Sequence, residues 1–178
     1  MGLRDEILEQ PQVLRRLLET QAQRVREVAD AIRERDVDYV FLAARGTSDN
    51  AGLYLKYLWG AHNGLPTALA APSLFTMYGQ PPRLNRALVV GISQSGQSPD
   101  IVGVLREGRR QGAPALALTN DLQSPLAQQA DFVLDIHAGE ERAVAATKTY
   151  TAQLLTIAML SAALTRDDAR WGALQHVP

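Results

Sequence analysis

Ser93, Gln94, Ser95 and Ser98 are the residues with the most chemistry to offer. They lie in Gly91-Ile92-Ser93-Gln94-Ser95-Gly96-Gln97-Ser98, which overlaps the end of the apolar run Ala87-Leu88-Val89-Val90-Gly91-Ile92. The spacing nearly fits the P-loop, in which a glycine, four residues, a second glycine, a lysine and a Ser or Thr cradle nucleotide phosphates. Gln97 stands where the lysine must be. Without that cation on the terminal phosphates, and with no evident magnesium aspartate, nucleotide hydrolysis is a poor reading. Anion binding survives. Gly96 lets the backbone approach a ligand closely, and a helix beginning near Pro99 points its first N–H groups and its dipole at the same place. One serine would be enough to cap that helix. Three hydroxyls and a glutamine directly after a buried strand exceed capping, and a neutral donor set suits one phosphate monoester.

A second polar turn, Arg45-Gly46-Thr47-Ser48-Asp49-Asn50, follows the apolar run Tyr39 to Ala44. Gly46 permits a tight strand-to-helix turn, and Thr47, Ser48 or Asp49 suits the cap of the helix running on through Tyr54 and Tyr57. A third follows Phe132 to Ile136 and reads His137-Ala138-Gly139-Glu140-Glu141. Glu141 is a candidate ligand contact and the one candidate base, against the plainer reading that adjacent loop carboxylates are merely solvated. His137 reads as structural, because neither His62 nor His176 pairs with it at metal-ligand spacing. Lys148 reads as a helix-end lysine, since a Schiff-base lysine needs a desolvation the sequence does not reveal. Neither a metal nor a cofactor is expected.

The elements that must position these turns follow from periodicity. Leu14, Leu18, Gln21, Val25, Val28 and Ile32 recur in steps of four and three, a helical seam for packing on its own domain or on a partner subunit, and Pro11 suits the first turn. After Asp36 come the continuous apolar runs Tyr39–Ala44, Ala87–Ile92 and Ala115–Leu118, with weaker ones at Thr67–Ala70 and Phe132–Ile136. Segments of helical spacing separate them. Buried strands alternating with crossover helices specify a parallel sheet covered on both faces. Ligands then bind outside the carboxyl ends of the strands, where all three polar turns fall. Residues 1–36 are expected to form a helical segment packed on the domain, 37–165 the α/β domain, and 166–178 a tail or linker.

Composition excludes several other classes. The 178 residues contain 18 Lys and Arg against 19 Asp and Glu, a formal charge of −1. Such a balance lacks the field that gathers nucleic acid or an anionic membrane, so neither is an expected partner. There are no cysteines, which removes disulfides and thiol nucleophiles. The N-terminus shows no apolar signal core, and the uncharged run between Lys148 and Arg166 carries Thr149, Thr151, Gln153, Thr156 and Ser161. It reads as a buried helix of a cytoplasmic protein.

Taken in order, Arg45-Gly46-Thr47-Ser48-Asp49-Asn50-Ala51, Ser93-Gln94-Ser95-Gly96-Gln97-Ser98 and Val144-Ala145-Ala146-Thr147-Lys148-Thr149 resemble the sugar isomerase (SIS) domain family. They look most like the first SIS half of glutamine:fructose-6-phosphate aminotransferase and of SIS-type glucosamine-6-phosphate deaminases and isomerases. The resemblance implies a three-layer αβα sandwich on a five-stranded parallel sheet, flavodoxin-like and preceded by an N-terminal helix. It implies that Ser93, Gln94, Ser95 and Ser98 hold a sugar phosphate, with Gly96 shaping their loop. Gly46, Thr47 and Ser48 then form the turn that reaches the sugar, and Glu141, Val144 and Ala146 a loop lining it.

Ser98 stands in place of a frequent Thr, Ala146 in place of a serine, Gln97 in place of a Glu, and Arg45 where a small residue or Cys is usual. These departures lean toward the deaminase or isomerase branch. The resemblance also implies that proton-transferring residues, chiefly a glutamate and a lysine, belong to a second SIS half beyond this chain. The expected function is phosphosugar binding in an aldose–ketose isomerase or deaminase acting on hexosamine 6-phosphate, in a homodimer. The alternatives are a non-catalytic sugar-phosphate sensor and half of a glucosamine-6-phosphate synthase-like enzyme.

Overall fold

The change of period after Asp36 marks the passage from helix to sheet. In a computed structural model describing residues 2–178, the chain begins with α1 (Leu3–Leu8) and α2 (Gln10–Arg33), followed by β1 (Tyr39–Ala44), α3 (Thr47–Asn63) and β2 (Thr67–Leu69). It continues through α4 (Ser73–Thr76), β3 (Ala87–Ile92), α5 (Pro99–Arg110), β4 (Ala115–Thr119), α6 (Pro125–Gln128) and β5 (Phe132–Asp135). It closes with α7 (Lys148–Thr165) and α8 (Asp168–Leu174). The strands form one parallel sheet in the order β2-β1-β3-β4-β5. This is the flavodoxin-like order, and it fits the expected α/β sandwich.

Strand alternation builds two cores. Val40, Leu42, Leu88, Val90 and Ile92 face α2, α3 and α7, while Phe41, Ala43, Ala87 and Val89 face α5 and α6. Both faces of β3 are covered and every one of its residues is buried, which is why it reads as an unbroken apolar run. The α2 seam packs along α7 of its own domain: Leu14, Leu18, Val25, Val28 and Ile32 are all buried. Helix α7 lies between α2 and α3, so its apolar character extends round most of its circumference. Among the described residues no helix is long and apolar enough to cross a membrane.

The segment expected as a tail or linker contains α8. Arg166 turns left-handed at φ 52° to end α7, and the Asp167 side chain caps α8 by accepting from the Arg170 N–H at 2.9 Å. Trp171 and Leu174 pack against the core, and the Arg26 guanidinium lies 4.4 Å above the Trp171 ring.

Helix α5, whose N-terminus faces the serine loop, sits unusually close to the sheet. A Cβ added at Gly108 would lie 2.7 Å from Val89 Cγ2, and one at Gly91 would lie 2.6 Å from Leu105 Cδ1. Glycine is needed at both contacts for this approach. Gly108→Ala is expected to destabilise the fold by about 1–3 kcal/mol, as overpacking does. Urea denaturation checks this; unchanged stability would mean that α5 does not rest rigidly on β3.

Candidate functional site

Two adjacent strands hand the chain to opposite faces of the sheet: β1 leads into α3 on one side, β3 into α5 on the other. Crevices at such switch points are where α/β sheets bind ligands. Register pairs Ala44 with Ile92 at the carboxyl ends, so the two polar turns start side by side.

The first turn depends on Gly46, whose φ of 59° and ψ of −131° suit a residue without a Cβ. It delivers Ser48 into the first turn of α3, where the Gln153 amide of α7 donates to Ser48 Oγ at 3.0 Å. The Ser48 proton is thereby left to point elsewhere.

The second turn is pinned from behind. Ser93 N–H donates to Leu118 O at 3.1 Å, and Gln94 O accepts from Asn120 N–H at 3.0 Å and from the Thr119 hydroxyl at 3.2 Å. Gly96 O accepts from Leu126 N–H at 3.1 Å. Gly96 has φ 62°, and a Cβ there would fall 2.2 Å from Ser124 Oγ, so no other residue fits. Within the loop, Ser93 Oγ accepts from Gly96 N–H at 3.2 Å and Ser95 Oγ from Gln97 N–H at 3.3 Å; both hydroxyl protons remain available to a ligand. Ser98 occupies the N-cap of α5, yet its side chain makes no capping bond. The helix N-terminus is open toward the cavity instead of being closed by its own serine.

Arg45, Thr47, Ser48, Ser93, Gln94, Ser95, Ser98, Val144, Ala146, Thr149, Tyr150 and Gln153 line a cavity of about 250 Å³ at this point. Eight residues expected from sequence are among them: Thr47, Ser48, Ser93, Gln94, Ser95, Ser98, Val144 and Ala146. Gly46 and Gly96 shape its turns without forming its walls. Sequence reasoning did not place Thr149, Tyr150 or Gln153 there. Their signal was polar groups at helical spacing within an otherwise apolar helix. Gln153 is only 2% exposed, and its Oε1 has no partner among the described residues, so a buried acceptor beside the cavity awaits a donor.

Glu141 is not a wall residue. Its carboxylate accepts from Thr147 N–H at 2.9 Å, Thr147 Oγ1 at 3.1 Å, Thr149 N–H at 3.3 Å and the Thr149 hydroxyl, tying the loop to the start of α7. Burial pushes its pKa up, but these bonds outweigh that and hold it below the ordinary carboxylate range. The same loop is fastened to the N-terminal segment. Fully buried Glu6 accepts from Arg142 N–H at 2.6 Å and from Ala143 N–H at 3.2 Å, and Glu9 pairs with Lys148 Nζ at 2.6 Å. Lys148, expected as a helix-end lysine, is only 3% exposed and anchors this junction. His137 O accepts from Arg16 at 2.8 Å, and the ring lies near Gln21 and Asp135, outside the cavity.

A second cavity, of about 300 Å³, lies between α2, α7 and α8 and is lined by Arg26, Asp30, Arg33, Arg166, Asp167, Asp168 and Trp171 among others. It carries three arginines and three aspartates, and no strand residue is among the described residues that line it.

Sheet order and a hydroxyl-lined crevice at the switch point define a flavodoxin-like α/β domain with a polar ligand cavity. Residues 35–163 match the SIS domain family, and the chain belongs to that family. It is 37% identical over 175 residues to a glutamine–fructose-6-phosphate aminotransferase of Staphylococcus epidermidis, covering 93% of this chain and 28% of that protein. The Thermus thermophilus aminotransferase is 41% identical over 159 residues, covering 88% of this chain and 26% of that one. Among solved structures, a Silicibacter pomeroyi protein described as a phosphosugar isomerase superposes with a TM-score of 0.92 at 46% identity, covering 96% of this chain and 52% of that one. The chain thus spans about a quarter of the length of these curated relatives and about half of this structural one.

A carboxyl whose folded-state pKa is depressed stabilises the fold above its unfolded value, about 4.3 for Glu, and loses that contribution as pH falls through the folded value. Glu141→Gln is therefore expected to lower the melting temperature at neutral pH, with the gap to wild type closing as the solution is acidified. A gap independent of pH would remove the charged anchor from the account.

Proposed function

We propose that the switch-point cavity binds the phosphate of a hexosamine or ketohexose 6-phosphate, with Ser93, Ser95, Ser98 and the α5 N–H groups around the phosphate. The observation that carries this is the uncapped N-terminus of α5 facing two more hydroxyls of the same loop. Thr47, Ser48, Gln153, Val144 and Ala146 then face the sugar. Ser48, its oxygen already engaged by Gln153, donates, and Gln153 Oε1 accepts from a sugar hydroxyl.

Aldose–ketose isomerisation moves a proton between the sugar's first two carbons and needs a base within hydrogen-bond reach. Among the described residues the cavity walls include no carboxylate and no histidine, and Glu141 spends its oxygens on Thr147 and Thr149. In this reading the chain supplies the phosphosugar-binding half of an isomerase or deaminase, and Glu141 positions the Val144–Ala146 wall. The proton-transferring groups come from a further segment of the kind the longer relatives contain. The same lack of a base in the walls favours the second reading, a sensor that binds these ligands without turnover. Pairing with a second copy runs through the N-terminal and C-terminal helices in this reading, and exposed Leu3, Ile7 and Leu8 on α1 support the N-terminal part. A cytoplasmic location goes with this reading, since such charged metabolites are held inside cells.

Calorimetry with glucosamine 6-phosphate and fructose 6-phosphate tests the binding. Saturable binding is expected, weakened at least about tenfold in Ser95→Ala, since a hydrogen bond to a charged group is worth about 1.5–3 kcal/mol and 1.4 kcal/mol is about a factor of ten. No binding by the native chain would sink the reading. A coupled isomerase and deaminase assay separates the two versions: turnover by this chain alone, abolished in Glu141→Gln, would restore Glu141 as the base. Light scattering at micromolar concentration is expected to show a dimer; a monomer removes the pairing.

A further inference from the structure

Among the described residues that line the switch-point cavity, Arg45 is the single charged side chain; the other members are hydroxyls, amides and apolar groups. It follows β1 immediately and reaches across to the first turn of α5, where its Nη1 donates to Asp100 Oδ2 at 2.7 Å. The two ends of this ion pair differ: the Arg45 side chain is 69% exposed, whereas that of Asp100 is 19% exposed. Asp100 is therefore the fixed end, seated at a helix N-terminus that favours its negative charge. Arg45 is the adjustable end, and this is its one hydrogen bond among the described residues. A guanidinium has five N–H donors in a planar fork, so the remaining donors can take an anion while the contact with Asp100 persists.

We propose that Arg45 is a specificity-determining residue that makes the cavity select dianionic phosphate esters over neutral sugars and monoanionic groups, with Asp100 setting how much of its charge the ligand sees. The inference rests on the sugar-phosphate reading above. Hydroxyls and backbone N–H groups bind an oxyanion but respond weakly to whether it carries one charge or two. An arginine at the cavity edge adds a Coulombic attraction that scales with ligand charge and is screened by salt. In the empty site Asp100 neutralises that charge, which keeps the crevice from gathering anions indiscriminately.

Calorimetry with glucosamine 6-phosphate and with inorganic phosphate, each at low and high sodium chloride, tests this in five proteins: wild type, Arg45→Met, Arg45→Lys, Asp100→Asn and the Arg45→Met/Asp100→Asn double variant. Arg45→Met is expected to weaken binding about tenfold at low salt and to flatten its salt dependence. Arg45→Lys should recover part of both. Asp100→Asn should tighten binding severalfold, and this gain should largely vanish in the double variant, because the two groups act through one another. Wild-type affinity and salt slope retained in Arg45→Met would overturn the inference while leaving the sugar-phosphate reading intact. So would a gain from Asp100→Asn that persists unchanged without Arg45, since Asp100 would then act by direct repulsion. Absence of binding by the wild type would overturn both.

Discussion

The open N-terminus of α5 is the constraint on which the site depends. A helix exposes its first N–H groups whatever the sequence, and a side chain, water or a ligand must satisfy them. Here Ser98 sits at the capping position and leaves the end open. Everything nearby holds that opening in place. Gly91 and Gly108 let α5 lie close on β3, Gly96 turns the loop where a Cβ would strike Ser124, and Thr119 and Asn120 fasten Gln94 from β4. The loop is thus held by groups that face away from the cavity, and its hydroxyls stay free for an anion.

The parallel pairing of β1 with β3 brings the second half of the site to the first. Because Ala44 stands opposite Ile92, the Gly46 turn and the serine loop leave the sheet at the same height, and α3 and α5 diverge to opposite faces around the gap. Helix α7 closes the gap from the side with Thr149, Tyr150 and Gln153. The N-terminal segment acts on the site through this closure: Glu6 and Glu9 bind the loop that carries Val144 and Ala146 and the start of α7. Near-neutral overall charge is compatible with such a site, because its donors are dipoles and hydroxyls with a single arginine at the edge.

Much of this was legible in the sequence because it rests on local pattern. Unbroken apolar runs identify two-faced strands, Pro99 identifies the start of α5, and Ser93 to Ser98 follow a strand end, so fold class and the serine loop of the cavity could be read together. The hydrogen bonds of Glu141 could not be read, because residue type and a loop position say nothing of how a carboxylate spends its oxygens; Thr147 and Thr149 had to be seen folded around it. Glu6 was invisible because it bonds to backbone N–H groups of Arg142 and Ala143, far away in sequence. Lys148 does stand at a helix end, the first residue of α7, but its burial and its partner Glu9 were hidden for the same reason, Glu9 lying far away between α1 and α2. The α8 helix was hidden by its brevity, its signals being the Asp167 cap and the Trp171–Arg26 contact.

The most direct test of the central claim is a crystal structure of this chain with glucosamine 6-phosphate bound. The phosphate is expected at the N-terminus of α5, within hydrogen-bond distance of Ser93, Ser95 and Ser98, with the sugar directed toward Ser48 and Gln153. A phosphate seated instead among Arg26, Arg33 and Arg166 in the cavity beside Trp171, with the serine loop empty, would contradict the account.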